Sequence, residues 1–182
     1  MRRALVDASV LITLTDIGSV DLLAGLDGDV VVLRAIAEEV TVEPATTWLE
    51  VAEENGWITR GTVSPGCSKI PEVFQAAIHL GREPRERIAG DIALLAAALQ
   101  SDDPVVVVTD DKPLRKTCNA LSVPVSGSIG VLITAVERGE LAPDAAKDAL
   151  VSMDEVGARL SARLLRKAER LIDEAAEGPG TE

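Results

Sequence analysis

The chain has 182 residues and is 47% hydrophobic, enough for one domain with a packed core and too apolar for extended disorder. Aromatics make up 2%, with no Tyr, so the core is built from Val, Leu, Ile and Ala, and the aromatic stacking platforms of general single-strand binders are excluded. A net charge of -12, with 30 acidic against 18 basic residues, excludes a broad basic footprint for nucleic acid.

The first apolar run, Ala4 to Val6, reads as a buried strand ending in Asp7, with Ser9 capping a helix from Val10 to Thr15. A short helix is expected near Asp21 to Gly25, and Val30 to Leu33 is a second buried strand. Helix follows over Ala35 to Val42 and again over Thr46 to Asn55, closed by Gly56. Trp57 to Thr59 reads as a third strand. Gly61, Pro65, Gly66 and Pro71 mark residues 60–71 as a loop. Helix resumes from Glu72 to Leu80, and again from Ile88 to Gln100, where Ile88, Ile92, Leu95 and Leu99 form one apolar stripe. Val105 to Val108 is the clearest buried strand. Pro113 opens a helix to Leu121, and Val123 to Val125 is a short edge strand. Three further helices are expected, over Gly130 to Glu137, Ala142 to Ser152, and Ser161 to Ala176. The last carries Leu164, Ala168, Leu171 and Ala175 on one side, and residues 177–182 read as a flexible tail.

Strands alternating with helices imply an α/β fold: a three-layer α/β/α arrangement around a central parallel sheet, plus C-terminal helices. The expected organisation is a domain over 1–140, a helical extension over 141–176 packed on it or on a dimer mate, and the tail. Cys67 and Cys118 are far apart in sequence and read as reduced thiols. Arg2-Arg3 is followed by only a few apolar residues before Asp7, so no leader peptide is expected. No run approaches 18 apolar residues, so no membrane span is expected. The expected location is cytoplasmic. The acidic, Lys-poor, Ala- and Val-rich composition matches that of salt-loving microbes such as halophilic archaea. At 1 M salt the Debye length is about 3 Å, so phosphate contacts would be weak there.

Four segments bring a carboxylate to the end of an apolar stretch: Leu5-Val6-Asp7, Ile36-Ala37-Glu38-Glu39, Gly90-Asp91 and Val108-Thr109-Asp110-Asp111. In parallel sheets the working residues collect beyond the carboxyl ends of the strands. Two carboxylates about 4 Å apart repel by roughly 4 kcal/mol at an effective dielectric near 20. Four acids on one edge therefore call for a cation, and oxygen donors suit a hard divalent one that activates water.

These segments, in this order and spacing, resemble the PIN domain, the metal-dependent ribonuclease fold of VapC-like toxins. Residues 5–12 are similar to its opening strand and first metal-site Asp. Glu39-Val40 is similar to its second acid motif, residues 90–96 to its third, and Thr109-Asp110-Asp111 to its fourth. Residues 110–115, 125–133 and 138–141 resemble a prokaryotic PIN branch with a helical C-terminal part. The resemblance implies catalytic Asp7, Glu39, Asp91 and Asp111, with Mg²⁺ or Mn²⁺ held by Asp7, Asp91, Asp110 and Asp111. Whether Asp110 or Asp111 is the fourth acid stays open, as does Glu38 against Glu39. Ser9 and Thr109 are supporting hydroxyls. Arg85, Arg87, Lys112 and Arg115 are candidates to touch the phosphate backbone, beside Arg82 and Lys116. His79 reads as structural, and Trp48 and Trp57 as core or interface residues. The implied activity is hydrolysis of RNA phosphodiester bonds, with a small antitoxin and a homodimer among the expected partners. The alternatives are a PIN-like binding module with weak catalysis and a phosphatase. The phosphatase is disfavoured because Asp7-Ala8-Ser9 lacks a second Asp two residues on.

Overall fold

The structure, a computed structural model, describes residues 2–63 and 90–178. The apolar runs Ala4–Val6, Val30–Leu33 and Val105–Val108 form the three central strands because they are too short and too uniformly hydrophobic for amphipathic helices, while polar Thr59–Gly61 and the two-residue Val125–Ser126 pair onto their edges. The strands are β1 (Arg3–Val6), β2 (Asp29–Leu33), β3 (Thr59–Gly61), β4 (Val105–Val108) and β5 (Val125–Ser126). All pairings are parallel, in the order β3-β2-β1-β4-β5. The connecting segments supply the helices α1 (Ala8–Asp16), α2 (Arg34–Glu39), α3 (Ala45–Glu54), α4 (Gly90–Gln100), α5 (Lys112–Ala120), α6 (Ser128–Glu137), α7 (Pro143–Met153) and α8 (Ala162–Glu177). A 3-10 turn spans Val20–Gly25 and a wide π turn spans Asp154–Ala158. This is the expected three-layer α/β/α architecture.

Chain progression reverses direction at β1. Strands β2 and β3 lie on one side of it, and β4 and β5 on the other. The crevice beyond the carboxyl ends of β1 and β4 is therefore the topological switch point, where open α/β sheets hold ligands. Register places Val6 beside Val108, so the residues after these two strands leave the sheet side by side.

The main core joins both faces of the sheet. Val6, Val10, Leu11, Leu14, Val32, Ile36, Leu94, Leu95, Val107 and Leu114 are all but inaccessible to solvent. Each such side chain is worth about 1.5–3 kcal/mol of transfer free energy, which is how a chain nearly free of aromatics stays folded. A second cluster joins α6, α7 and α8 through Leu132, Val136, Ala146, Leu150, Met153, Ala168 and Ile172, with Ile17 and Leu22 packed against it. Among the described residues no helix is long and apolar enough to cross a membrane.

Several boundaries differ from expectation. Asp7, not Ser9, caps α1: it accepts the Ala8 amide, while Ser9 lies in the helix and turns its hydroxyl back to Asp7. Helix α2 stops at Glu39 rather than Val42, because β-branched Thr41 and Val42 followed by Glu43-Pro44 disfavour the helical region. Strand β3 occupies residues 59–61, not 57–59, so Arg60 and Gly61 belong to the sheet rather than a loop. A Cβ on Gly61 would lie 2.7 Å from Val31 Cγ1, so the glycine that signals a loop here permits close strand approach. Helix α4 has no single apolar stripe: every residue from Gly90 to Ala96 is buried. Its Leu94 and Leu95 enter the main core, while Ile92 and Ala96 pack with Val63 and Leu99. On α8 the buried line is Ala168 and Ile172, and Leu164 is 41% exposed. The expected helix over 72–80, His79, Cys67, Arg82, Arg85 and Arg87 lie outside the described residues.

Candidate functional site

Asp7 follows β1 directly, and its amide donates to Val108 O at 2.9 Å, continuing the β1–β4 ladder one residue beyond the strand. Asp7 is buried, only 7% exposed as a residue, so its carboxylate must be satisfied locally. Oδ1 accepts the Ala8 amide at 2.8 Å. Oδ2 accepts two hydroxyls, Ser9 Oγ and Thr109 Oγ1, each at 2.6 Å. Those lengths are typical of charge-assisted O–H···O⁻ bonds.

The same hydroxyls serve the end of β4. Ser9 Oγ accepts the Asp110 amide and Thr109 Oγ1 accepts the Asp111 amide, both at 3.1 Å. A hydroxyl has one proton, and each gives it to Asp7. Two parallel relays thus run from amide through hydroxyl to carboxylate. The direct Ser9–Thr109 approach of 3.5 Å is left without a proton of its own.

Asp110 and Asp111 diverge from this point. Both Asp110 oxygens are held by Ser128, which donates its amide to Oδ1 at 2.9 Å and its hydroxyl to Oδ2 at 2.5 Å. Asp110 thereby clamps the start of α6 to the end of β4, and Ser128 is fully buried in doing so. Arg115 braces the same corner by donating to Thr109 O at 2.8 Å and also to Ser126 O. Asp111 caps α5 through one oxygen, accepting the Leu114 amide at 2.7 Å on Oδ1.

The remaining acids come from α2 and α4. Glu38 faces outward and pairs with Arg34 at 3.2 Å. Glu39 turns the other way, and its Oε1 accepts the Gly90 amide at 2.7 Å, which seats α2 against the start of α4. A Cβ on Gly90 would lie 2.4 Å from Ile36 Cδ1 and 2.8 Å from both Glu39 carboxylate oxygens, so a larger residue here would have to displace the ends of those two side chains. Asp91, 7% exposed, is the next residue, and its Oδ1 accepts the Ile92 amide at 2.9 Å.

The expected acids therefore form two linked pairs: Asp7 with the Thr109–Asp111 segment, and Glu39 with Gly90-Asp91. A family model described as a PIN domain matches residues 3–174. The chain belongs to the PIN-domain family. PIN domains have a nuclease-type fold, are generally nucleases and usually use divalent metals. A comparison with curated proteins finds no match.

Against that background, the donor set of this PIN domain suits a hard cation: every candidate ligand is a carboxylate oxygen. Among the described residues neither Asp7, Glu39, Asp110 nor Asp111 takes part in an ion pair. Asp7 Oδ1 and Asp111 Oδ1 each accept one amide, and a carboxylate offers about four acceptor positions, so both retain capacity. Asp110 has both oxygens committed. No group of three acid, histidine or cysteine side chains among the described residues is gathered closely enough to cage a metal.

The hydroxyl relays were only half visible in the sequence. Ser9 and Thr109 stood out as neighbours of acids, but their shared acceptor did not. Ser128 gave no signal, because its partner lies 18 residues back across a strand end. Trp48 is half-buried and donates its indole N–H to Asp21, whereas Trp57 is exposed.

Proposed function

We propose that this PIN domain is a metal-dependent endoribonuclease acting at the switch point between β1 and β4. The observation that carries the reading is the buried Asp7 carboxylate, which two hydroxyls hold at the edge where Asp111 also emerges, with no cationic side chain paired to it among the described residues.

Asp7, Asp91 and Asp111 would hold Mg²⁺ or Mn²⁺, with Glu39 completing the acidic edge beside Asp91. Asp110 is the weaker candidate because Ser128 occupies both its oxygens. A divalent ion bound there would lower the pKa of a coordinated water and stabilise charge on the phosphate oxygens. The protein's own part is positional. Ser9 and Thr109 fix the Asp7 carboxylate by hydrogen bonds, and the α5 cap fixes one oxygen of Asp111 while leaving the other to face a ligand.

A second reading, a PIN-like binding module with little turnover, draws on the acidic balance of 30 acids against 18 bases, which gives a weak basic footprint for nucleic acid. The proposed substrate is RNA and the proposed partner a small antitoxin, in the cytoplasm of a salt-loving source. A homodimer would use exposed Val151 and Val156, since Ala168 and Ile172 are already buried within the chain.

The test is cleavage of RNA by wild type and Asp7→Asn, with Mn²⁺ and with chelator. The reading expects Mn²⁺-dependent cleavage that Asp7→Asn abolishes. Cleavage indifferent to both changes would refute it, and Mn²⁺ binding without cleavage of varied RNAs would favour the module.

A further inference from the structure

Basic residues are scarce in this chain and unevenly placed. Residues 159–170 hold five of the 18: Arg159, Arg163, Arg166, Lys167 and Arg170, against the single acid Glu169. This stretch is the π-turn exit and the first half of α8. It forms one wall of a groove of about 450 Å³ whose other wall is the β5–α6 corner. On α8 the groove-facing residues are Leu164, Lys167, Ala168 and Leu171, at helical spacing on one face. Lys112, Arg115 and Arg159 also line it, so four cations face a single acid there, Asp110. Among the described residues Lys112, Arg159 and Lys167 make no ion pair, although acids outnumber bases in the chain by 30 to 18.

Two further features point the groove toward an anionic ligand. Arg159 stands at φ 49°, ψ 59°, a left-handed conformation unusual for a residue with a side chain, just after Gly157 at φ 98°. That conformation closes the π turn and leaves Arg159 lining the groove. Ser161 caps α8 beside it, and the positive end of that helix adds to the field of the cations.

We propose that this groove carries the sugar-phosphate backbone of single-stranded RNA away from the acidic edge, with Lys112, Arg159 and Lys167 contacting successive phosphates. The inference rests on the nuclease reading above and assigns it a substrate path. RNA is favoured over an acidic protein segment by continuity. Asp110 and Lys112 line the groove and flank Asp111 in the chain, so a strand engaged at the acids can continue along it. The apolar floor of Ile129, Ile133 and Leu164 can take base faces where stacking aromatics are missing.

The test is binding of a fluorescent 12-nucleotide mixed-sequence RNA to the full chain in chelator, where cleavage cannot occur. Wild type is compared with Lys167→Glu, with Arg159→Gln/Lys167→Ala, and with Arg2→Ala, just before the amino end of central strand β1 and outside the groove lining. The expected result is at least a tenfold loss of affinity in both groove variants and none in Arg2→Ala. The double variant should also lower the slope of log K against log salt by about 1.4, from two contacts at about 0.7 each. Circular dichroism identifies any variant that fails to fold, and the double variant removes charge without reversing it. Equal binding and equal slopes across all four proteins would overturn the groove assignment while leaving Mn²⁺-dependent cleavage by wild type to stand or fall by itself. Binding of an acidic amphipathic peptide that depends on Lys167, without RNA binding, would overturn it in favour of a protein partner.

Discussion

The Thr109 hydroxyl, at the end of β4, lies 2.6 Å from Asp7 Oδ2, at the end of β1, and its oxygen takes the Asp111 amide at 3.1 Å. One fully buried side chain therefore couples the two strand ends that flank the switch point. Replacing it by Val keeps the shape and removes both bonds. A buried carboxylate then loses a charge-assisted donor and a backbone amide loses its acceptor, at a cost of about 2–4 kcal/mol. Denaturant unfolding should show that loss for Thr109→Val and a much smaller one for Thr109→Ser. Equal stability of all three would show that the tie is unimportant.

Neighbouring Asp110 and Asp111 should separate by phenotype. Asp110→Ala breaks the clamp to Ser128 and leaves the hydroxyl and the amide of this fully buried serine without their acceptor, so a stability loss of about 2–3 kcal/mol is expected. Asp111→Ala removes a helix cap worth about 1 kcal/mol, but it should abolish metal-dependent cleavage. Thermal melts and an RNA cleavage assay on both variants read the two effects separately. The reverse pattern would move the catalytic assignment to Asp110.

Gly127 is where strand β5 passes closest to this corner. A Cβ there would lie 2.5 Å from Asp110 Oδ1, 2.9 Å from Arg115 Nη1 and 3.0 Å from Thr109 O. Its φ of -162° is open to any residue, so the obstacle is contact rather than backbone conformation. Arg115 is held by two carbonyls and cannot simply swing away. Gly127→Ala should cost about 1–3 kcal/mol by overpacking, measured by urea titration. A neutral result would mean that the corner relaxes freely.

Cys118 is buried on α5, and burial raises its thiol pKa to about 11, against a smaller lowering by Arg115. The folded state therefore keeps the proton that the unfolded thiol releases near pH 9. Below about pH 9 this contribution to stability is complete, and it is lost as pH rises from about 9 to 11. Two pKa units correspond to roughly 2.7 kcal/mol. The alkaline fall in stability should be smaller in Cys118→Ala than in wild type. Thiol labelling at pH 8 should leave Cys118 unmodified until the protein unfolds, and rapid labelling in the native state would contradict its burial.

Much of the fold was legible because its three central strands are short aliphatic runs whose uniform hydrophobicity has one stable use, the middle of a parallel sheet covered on both faces. The limits of the helices were less so. Ser9 has the chemistry of a cap, yet Asp7 takes that role because its carboxylate reaches the Ala8 amide and then recruits the Ser9 hydroxyl. Gly61 carries a loop signal, yet it lies in β3 because a strand beside Val31 and Leu33 has no space for a Cβ. Glu38 and Glu39 are equivalent by type. Their roles separate only when α2 packs on α4, which leaves Glu38 to Arg34 and brings Glu39 to Gly90.

Local pattern determined which residues become strands, which acids follow them, and that those acids need compensation, since apolar periodicity and charge are properties of neighbours in the chain. Packing decided how the acids are compensated: Asp7 by hydroxyls from positions 9 and 109, Asp110 by Ser128, and the scarce cations by assembly along the groove beside α8. Those partners lie as far as 102 residues apart, and a hydrogen bond reaches only about 3 Å, so they exist only after the sheet has brought the strand ends together.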